Sequence, residues 1–434
     1  MNLWDGTPFG MATQYRLPEA KARYLMNIVV IATLDTKGEE ADFIRSEISR
    51  RGHTPIVIDP GSAGKPAVPA DISRDEVASA SGESLEGILS RKDKAYVQQR
   101  MIEGLTRLVL RKYAEGSLQG VIAVGGGQGT ALATAAMRAL PVGVPKVMVS
   151  TVASGKTSFG PYVGTKDVTM IHSVADIAGL NFITRKIIAQ AAAAVVAMAE
   201  VEISAQQRRD LIAITQAGVT TPGVTKVKQL LEQAGFEVVV FHCNGIGGQA
   251  MEELIRDGMI RGVIDYSPHE IVDLLYDGLM PALPGRMTAA GEMGIPQIIA
   301  PGCTDMRLHE WGAIPPGLCD RPYVRHTPTH THFRTTREEM SAVAHYIAEH
   351  LNRGKGPRAV MVPKQGYSMM NRQGMPLYDD AANMGLLETL RKELSPEVGL
   401  IEGDYHINDP ECAAATAKLF LKLWAAGCPP LPRG

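Results

Sequence analysis

Short, continuous apolar runs punctuate the chain, and each ends in a loop of glycine, serine or threonine before a stretch of helical periodicity begins. In the first half the runs fall at residues 27–35, 55–59, 120–124 and 146–152. Runs this short and unalternating are the pattern of parallel strands covered on both faces. The stretches between them predict helices over Glu39–Arg51, Ala95–Glu115, Thr130–Leu140 and 180–201. Residues 66–95 are polar and serine-rich and read as a long surface excursion.

The pattern then restarts. The run at 210–216 echoes the first strand, and 237–242 echoes the second. The segment opening at Gly262 matches the one opening at Gly120, and the one opening at Gly294 matches the one opening at Gly143. Four matching segments in one order predict a duplication, giving an α/β protein of two tandem Rossmann-like domains with mainly parallel sheets. The expected layout is an arm over residues 1–26, a nucleotide-binding domain over 27–201, a linker over 202–209 and a second Rossmann-like domain over 210–434. Further strands are expected near 358–363 and 398–401, with helices over 381–393 and 411–425. Ligands of such sheets sit outside the carboxyl ends of the strands, where all of these loops fall.

Composition narrows the classes. A chain of 434 residues has room for large cores, and a net charge of -2 without a basic run excludes nucleic acid as the main partner. No uninterrupted apolar run reaches membrane-spanning length, and the alanine-rich stretch Ile187–Val201 reads as a buried core helix. Five cysteines, an odd number with no C-x-x-C pair, predict reduced thiols and a cytoplasmic location.

The candidate chemistry follows the loops. Val121–Val124, then Gly125, Gly126, Gly127, Gln128, Gly129 and Thr130, form a strand, a glycine loop and a helix start. That arrangement points free backbone N–H groups at an anion, and the helix N-terminus adds partial positive charge. Thr33, Asp35, Thr36 and Lys37 end the first strand and supply hydroxyls and a point charge to the same anion. Ser154, Gly155, Lys156 and Thr157 form another loop suited to phosphate. It is not a Walker motif, because Ser150 stands where the first glycine belongs and Pro161 interrupts the helix. Asp167 and Asp176 are candidates for magnesium, or for helix caps. In the second half, His326, His330 and His332 crowd one short stretch, and His330 and His332 share a face if extended, as a metal pair on a strand does. His242, Cys303 and His326 are candidates for acid–base or nucleophilic catalysis.

Several of these runs together resemble one family: residues 31–38, 125–132, 149–155 and 161–165 in the first half, with 218–226, 241–248, 294–297 and 407–410 in the second. The chain is similar over about 27–425 to the uncharacterised bacterial and plant family that includes the amino-terminal domain of the tomato mosaic virus resistance protein. The resemblance implies two Rossmann-like subdomains, ATP bound in the first with Mg2+, and a homodimer. Larger members add a barrel domain, so a separate barrel-domain partner is implied for this chain. Gln128 departs from the family's usual glycine, and the run 326–333 is richer in histidine than is usual.

Three readings remain open on the sequence. One is an ATP-dependent metabolic enzyme acting on a small organic acid at a cleft between the two domains. Another is a nucleotide-sensing or partner-binding protein without turnover. The third is a metal-dependent lyase or hydrolase built on His326, His330 and His332.

Overall fold

The structure is a computed structural model, and it describes residues 25–154, 157–202 and 209–427. The chain divides into two compact units, Met1–Glu202 and Ile203–Gly434. Each is a parallel sheet with helices on both faces, so the duplicated, tandem Rossmann-like α/β architecture is what is found.

Unit one runs β1 (Asn27–Ile31), α1 (Leu34–Arg50), β2 (Thr54–Ile58), α2 (Arg74–Ser81), α3 (Leu85–Ser90), α4 (Lys94–Ala114), β3 (Gly120–Gly125), α5 (Gly127–Ala139), β4 (Lys146–Ser150), α6 (Gly160–Val163), β5 (Thr169–His172) and α7 (Phe182–Ala199). The sheet order is β2-β1-β3-β4-β5, all parallel. Side chains of alternating parity fill two separate cores: Val29, Val121 and Ala123 on one face, Ile28, Val30, Ile122 and Val124 on the other. That is why these strands read as continuous apolar runs.

Three local expectations for this unit are corrected. The serine-rich excursion holds α2 and α3, because Ser73 and Ser84 are N-caps that accept from Glu76 and Gly87 N–H groups. Gly104 on α4 lets that helix seat against α2, since a Cβ there would stand 1.9 Å from the Val77 carbonyl. The loop expected at residues 36–38 lies inside α1, which starts at Leu34 and departs from helical geometry at Lys37. Finally, α7 is not buried all round: one face, including Ile188, Ala192 and Val195, packs in the core while Phe182, Ile183 and Met198 are exposed. By length and composition alone α7 could cross a membrane, and only 33% of that window is buried.

Unit two runs β6 (Leu211–Gln216), α8 (Thr221–Gln233), β7 (Glu237–His242), α9 (Ile246–Arg256), β8 (Gly262–Asp265), α10 (His269–Leu275), α11 (Ala289–Met293), β9 (Gln297–Ile299), β10 (Met306–Glu310), β11 (Tyr323–Arg325), β12 (His330–Arg334), α12 (Arg337–Arg353), β13 (Arg358–Pro363), α13 (Asp380–Glu393), β14 (Gly399–Gly403) and α14 (Pro410–Gly427). Its parallel sheet has the order β14-β13-β9-β8-β6-β7. Counted from the first strand of each unit, both sheets read 2-1-3-4-5, with one strand added in unit two. Unit two also carries an antiparallel sheet, β10-β12-β11, that the sequence pattern did not announce.

Candidate functional site

In each unit the strand order reverses between the first and third strands, and this switch point is where doubly wound sheets open a crevice at their carboxyl ends. In unit one a cavity of about 410 Å³ lies there, lined by Thr33, Asp35, Thr36, Lys37, Ser62, Ala63, Gly126–Gly129 and Asp176. The loop after β1, the glycine loop after β3 and Asp176 ahead of α7 therefore meet. A neighbouring cavity of about 470 Å³ shares Thr33, Ser62, Ala63, Gln128 and Gly129, and continues to Leu89, Val97, Gln98, Met101 and Leu132. One end of this crevice is polar and the other half apolar.

The anion-facing part is α5. The first-turn N–H groups of Gly127, Gln128 and Gly129 have no acceptor within the helix. The N-terminus of α1 is different, because Leu34 N–H donates to Asp59 Oδ1 at 3.1 Å, and Thr36 and Lys37 N–H groups turn back to the Thr33 carbonyl. Asp59 is buried at the end of β2, and Arg74 of α2 holds its other oxygen at 2.8 Å while also bonding the Ala63 and Gly64 carbonyls. This pair shapes the 60–64 loop that brings Ser62 to the cavity. Glu40 does the same for the segment before α7, accepting from Gly179 N–H at 2.9 Å.

In unit two a cavity of about 220 Å³ occupies the equivalent corner. His242 and Cys243 come from the end of β7, His269 from the start of α10, Cys303 from the end of β9, and His326, His330 and His332 from the hairpin β11–β12. The structure thus gathers in one place the residues the sequence singled out separately, and adds His269. His269 is buried; its Nδ1 donates to the Cys303 carbonyl at 3.1 Å and its Nε2 stands 3.4 Å from Asp273 Oδ2. Burial works against its charge, but the Asp273 carboxylate and the Cys303 carbonyl outweigh it and push the imidazole up to about 9. His332 goes the other way, pushed down to about 3 by burial and then by the charges of His269 and His326, and its Nδ1 has no hydrogen-bond partner among the described residues. The rings of His326 and His332 stack at 4.9 Å.

Beside this cavity, Arg286 is enclosed by Glu270 at 2.5 Å, Asp265 at 2.8 Å and Glu252 at 2.9 Å, all buried. The cluster ties β8, α9 and α10 together and fixes His269 beside Glu270.

The profile of the N-terminal domain of an uncharacterised protein family, UPF0261, matches residues 26–204, and that of its C-terminal domain matches 209–424. The chain belongs to UPF0261. A UPF0261 protein of Clostridium tetani is 41% identical over 91% of this chain and 98% of its own length. The ToMV resistance protein Tm-1(GCR237) of Solanum lycopersicum is 36% identical over 71% of this chain and 42% of its own length. Among solved structures, the UDP-GlcNAc 2-epimerase of Methanocaldococcus jannaschii aligns over 94% of this chain and 96% of that one, at 8% identity with a TM-score of 0.19, a likeness too slight to carry any argument.

Several candidate residues of this UPF0261 chain are placed away from ligand chemistry. Asp167 lies before β5, at the amino end of the sheet, opposite to the glycine loop; it binds the buried Lys146 Nζ at 2.7 Å and accepts from Gly143 N–H. It is a structural carboxylate and not a magnesium ligand beside the glycines. Thr130 is fully buried, with its hydroxyl 2.6 Å from Ser150 Oγ, and does not line the crevice. Gly125 is a packing glycine, since a Cβ there would stand 3.0 Å from Gly129 Cα. Ser154 and Thr157 line neither cavity, and Gly155 and Lys156 lie outside the described residues. Cys303 is a buried thiol that burial pushes well up. No group of three or more His, Cys, Asp or Glu among the described residues is arranged to hold a metal ion, so the pair His330 and His332 is not completed to a metal centre.

Proposed function

We propose that unit one binds a nucleoside triphosphate, with ATP as the expected ligand. The observation that carries this reading is the convergence of Lys37, Thr33, Ser62 and the N–H groups of Gly127–Gly129 on one crevice at the switch point. These are donors to an anion, and none requires a proton transfer to act. The phosphates fit the polar end, and the half-apolar end lined by Leu89, Val97, Met101 and Leu132 suits a base and ribose. Asp35 and Asp176 border the phosphate end and are the carboxylates suited to a magnesium ion shared with phosphate oxygens. Bound there, magnesium would neutralise phosphate charge, while Lys37 and the α5 amides orient the chain of phosphates.

The test is calorimetric titration with ATP, ADP and inorganic triphosphate, with and without magnesium, on the wild type, Gly127→Leu and Lys37→Ala. ATP is expected to bind more tightly than triphosphate, and Gly127→Leu is expected to lose binding with its fold intact. Failure of every nucleotide to bind, or wild-type affinity in Gly127→Leu, would overturn the reading.

A further inference from the structure

The same corner of the two units carries opposite chemistry. After β3 in unit one comes Gly126–Gly129, glycine except for Gln128; after β8 in unit two comes Tyr266-Ser-Pro-His269-Glu270, where every residue carries a side chain. The unit-two cavity is also smaller, about 220 Å³ against about 410 and 470 Å³ for the two parts of the unit-one crevice.

From these features we infer that unit two holds a second ligand site, for a short aliphatic carboxylate. Four observations lead there. No Asp or Glu lines the cavity among the described residues, whereas five histidines do. The buried Asp273 behind His269 has its own charge met by Met280 N–H at 2.9 Å and Leu308 N–H at 3.1 Å, so it does not turn toward the cavity. His332 is 8% exposed, lines the cavity, and its Nδ1 has no hydrogen-bond partner among the described residues, whereas buried polar atoms are as a rule partnered. Met280, Met306 and Leu308 give the remaining wall an apolar surface for a carbon chain. A ligand with an anionic head and a few carbons satisfies all four. The His269 ring faces the head, and His332, as its Nδ1–H tautomer, donates to a carboxylate oxygen.

This site stands apart from the nucleotide reading of unit one, and its test is run without nucleotide so that the two fail separately. The full-length protein is titrated with propionate, pyruvate, malonate and succinate by calorimetry, with the histidine ring protons followed by NMR. At least one acid is expected to bind saturably and to shift the His332 ring signals. Replacing His332→Phe, which keeps the ring and removes both nitrogens, should weaken binding by about tenfold or more, equivalent to about 1.4 kcal/mol. Met280→Trp, which fills the cavity from its half-buried rim, should abolish binding with the melting temperature retained, and His345→Ala on the exposed face of α12 should change nothing. The inference is overturned if no acid binds, or if affinity is the same in His332→Phe and Met280→Trp. It is equally overturned if the purified protein takes up one zinc ion per chain that His326→Ala and His330→Ala release, which would give the histidines to a metal.

Discussion

His269 and Asp273 face each other one helical turn apart on α10, Nε2 to Oδ2 at 3.4 Å, in a place with almost no solvent. The pair makes stability depend on pH in a definite direction. The folded imidazole is raised to about 9, above its unfolded value near 6.5, so its contribution is complete below about pH 6.5 and is lost as pH rises through about 9. The melting temperature is expected to fall over that interval. His269→Gln should be less stable than wild type at pH 6, with the difference shrinking by pH 9.5; thermal melts across that range check it, and a difference that grows with pH would refute the assignment.

His332 has the opposite sign. Its imidazole is lowered to about 3, so its contribution is complete above about pH 6.5 and is lost as pH falls toward 3. The acid limb of the stability curve should flatten in His332→Phe. Each kcal/mol is about 2–4 °C in melting temperature for a unit of this size, so the effect is measurable by calorimetry between pH 4 and 7.

Arg286 is the cation shared by Asp265, Glu270 and Glu252. Arg286→Met leaves three buried carboxylates facing one another, and breaking a buried pair from one side costs about 3–5 kcal/mol. Urea unfolding of unit two should show a loss of that order. A loss under 1 kcal/mol would mean the carboxylates take up protons and pack without the cation.

The neighbouring glycines 125 and 127 should separate packing from binding. Gly125→Ala puts a Cβ 3.0 Å from Gly129 Cα and is expected to destabilise unit one by about 1–3 kcal/mol. Gly127 is exposed, and the nearest atom to its Cβ position is Val152 Cγ1 at 4.0 Å, so Gly127→Ala should leave stability unchanged or slightly improved. Equal loss in both variants, read by thermal melting, would remove the distinction.

Asp167 and Asp176 should also part company. Asp167→Ala deprives Lys146 of its carboxylate and leaves the ammonium with the Pro141 and Val144 carbonyls, a cost of about 1–2 kcal/mol for a half-exposed partner. Asp176→Ala is expected to leave stability alone and to weaken the magnesium dependence of nucleotide binding. The reverse pattern in melts and titrations would restore Asp167 as the metal residue.

Much of this was legible in the sequence for a physical reason. Buried parallel strands are nearly pure apolar runs, and their repetition in one order exposed the duplication and both sheets. The glycine loop announced itself because only side-chain-free residues permit that approach, although where α5 begins did not: Gly127 and Gly129 are poor helix formers, and tertiary packing of α5 overrides them. The histidine pocket was half visible. His326, His330 and His332 stood out by crowding, but their meeting with His242 and Cys303 depends on the fold, and His269 lay hidden in an ordinary amphipathic stretch. Its partner at the i+4 position was the available signal, a His and an Asp on one helical face. Strands β10 and β11 escaped notice because an antiparallel insertion this short leaves too few alternations to register. Asp167 misled because a carboxylate near a glycine loop in sequence can sit at the other end of a strand.

The antiparallel insertion has a consequence for how the chain reaches this structure. In unit one, β1 and β3 are neighbours in the sheet with all of residues 32–119 between them in the chain. In unit two likewise, β9 and β13 are neighbours in the sheet, and all of residues 300–357 lie between them in the chain. The second sheet cannot close until the hairpin of histidines and α12 have been made, and distant pairings of this kind are slow. Both sheets wait on distant pairings, and unit one is synthesised first, so it is expected to be folded before unit two, with the histidine cavity, whose walls come from β7, β9 and the β11–β12 hairpin, among the last features to take shape.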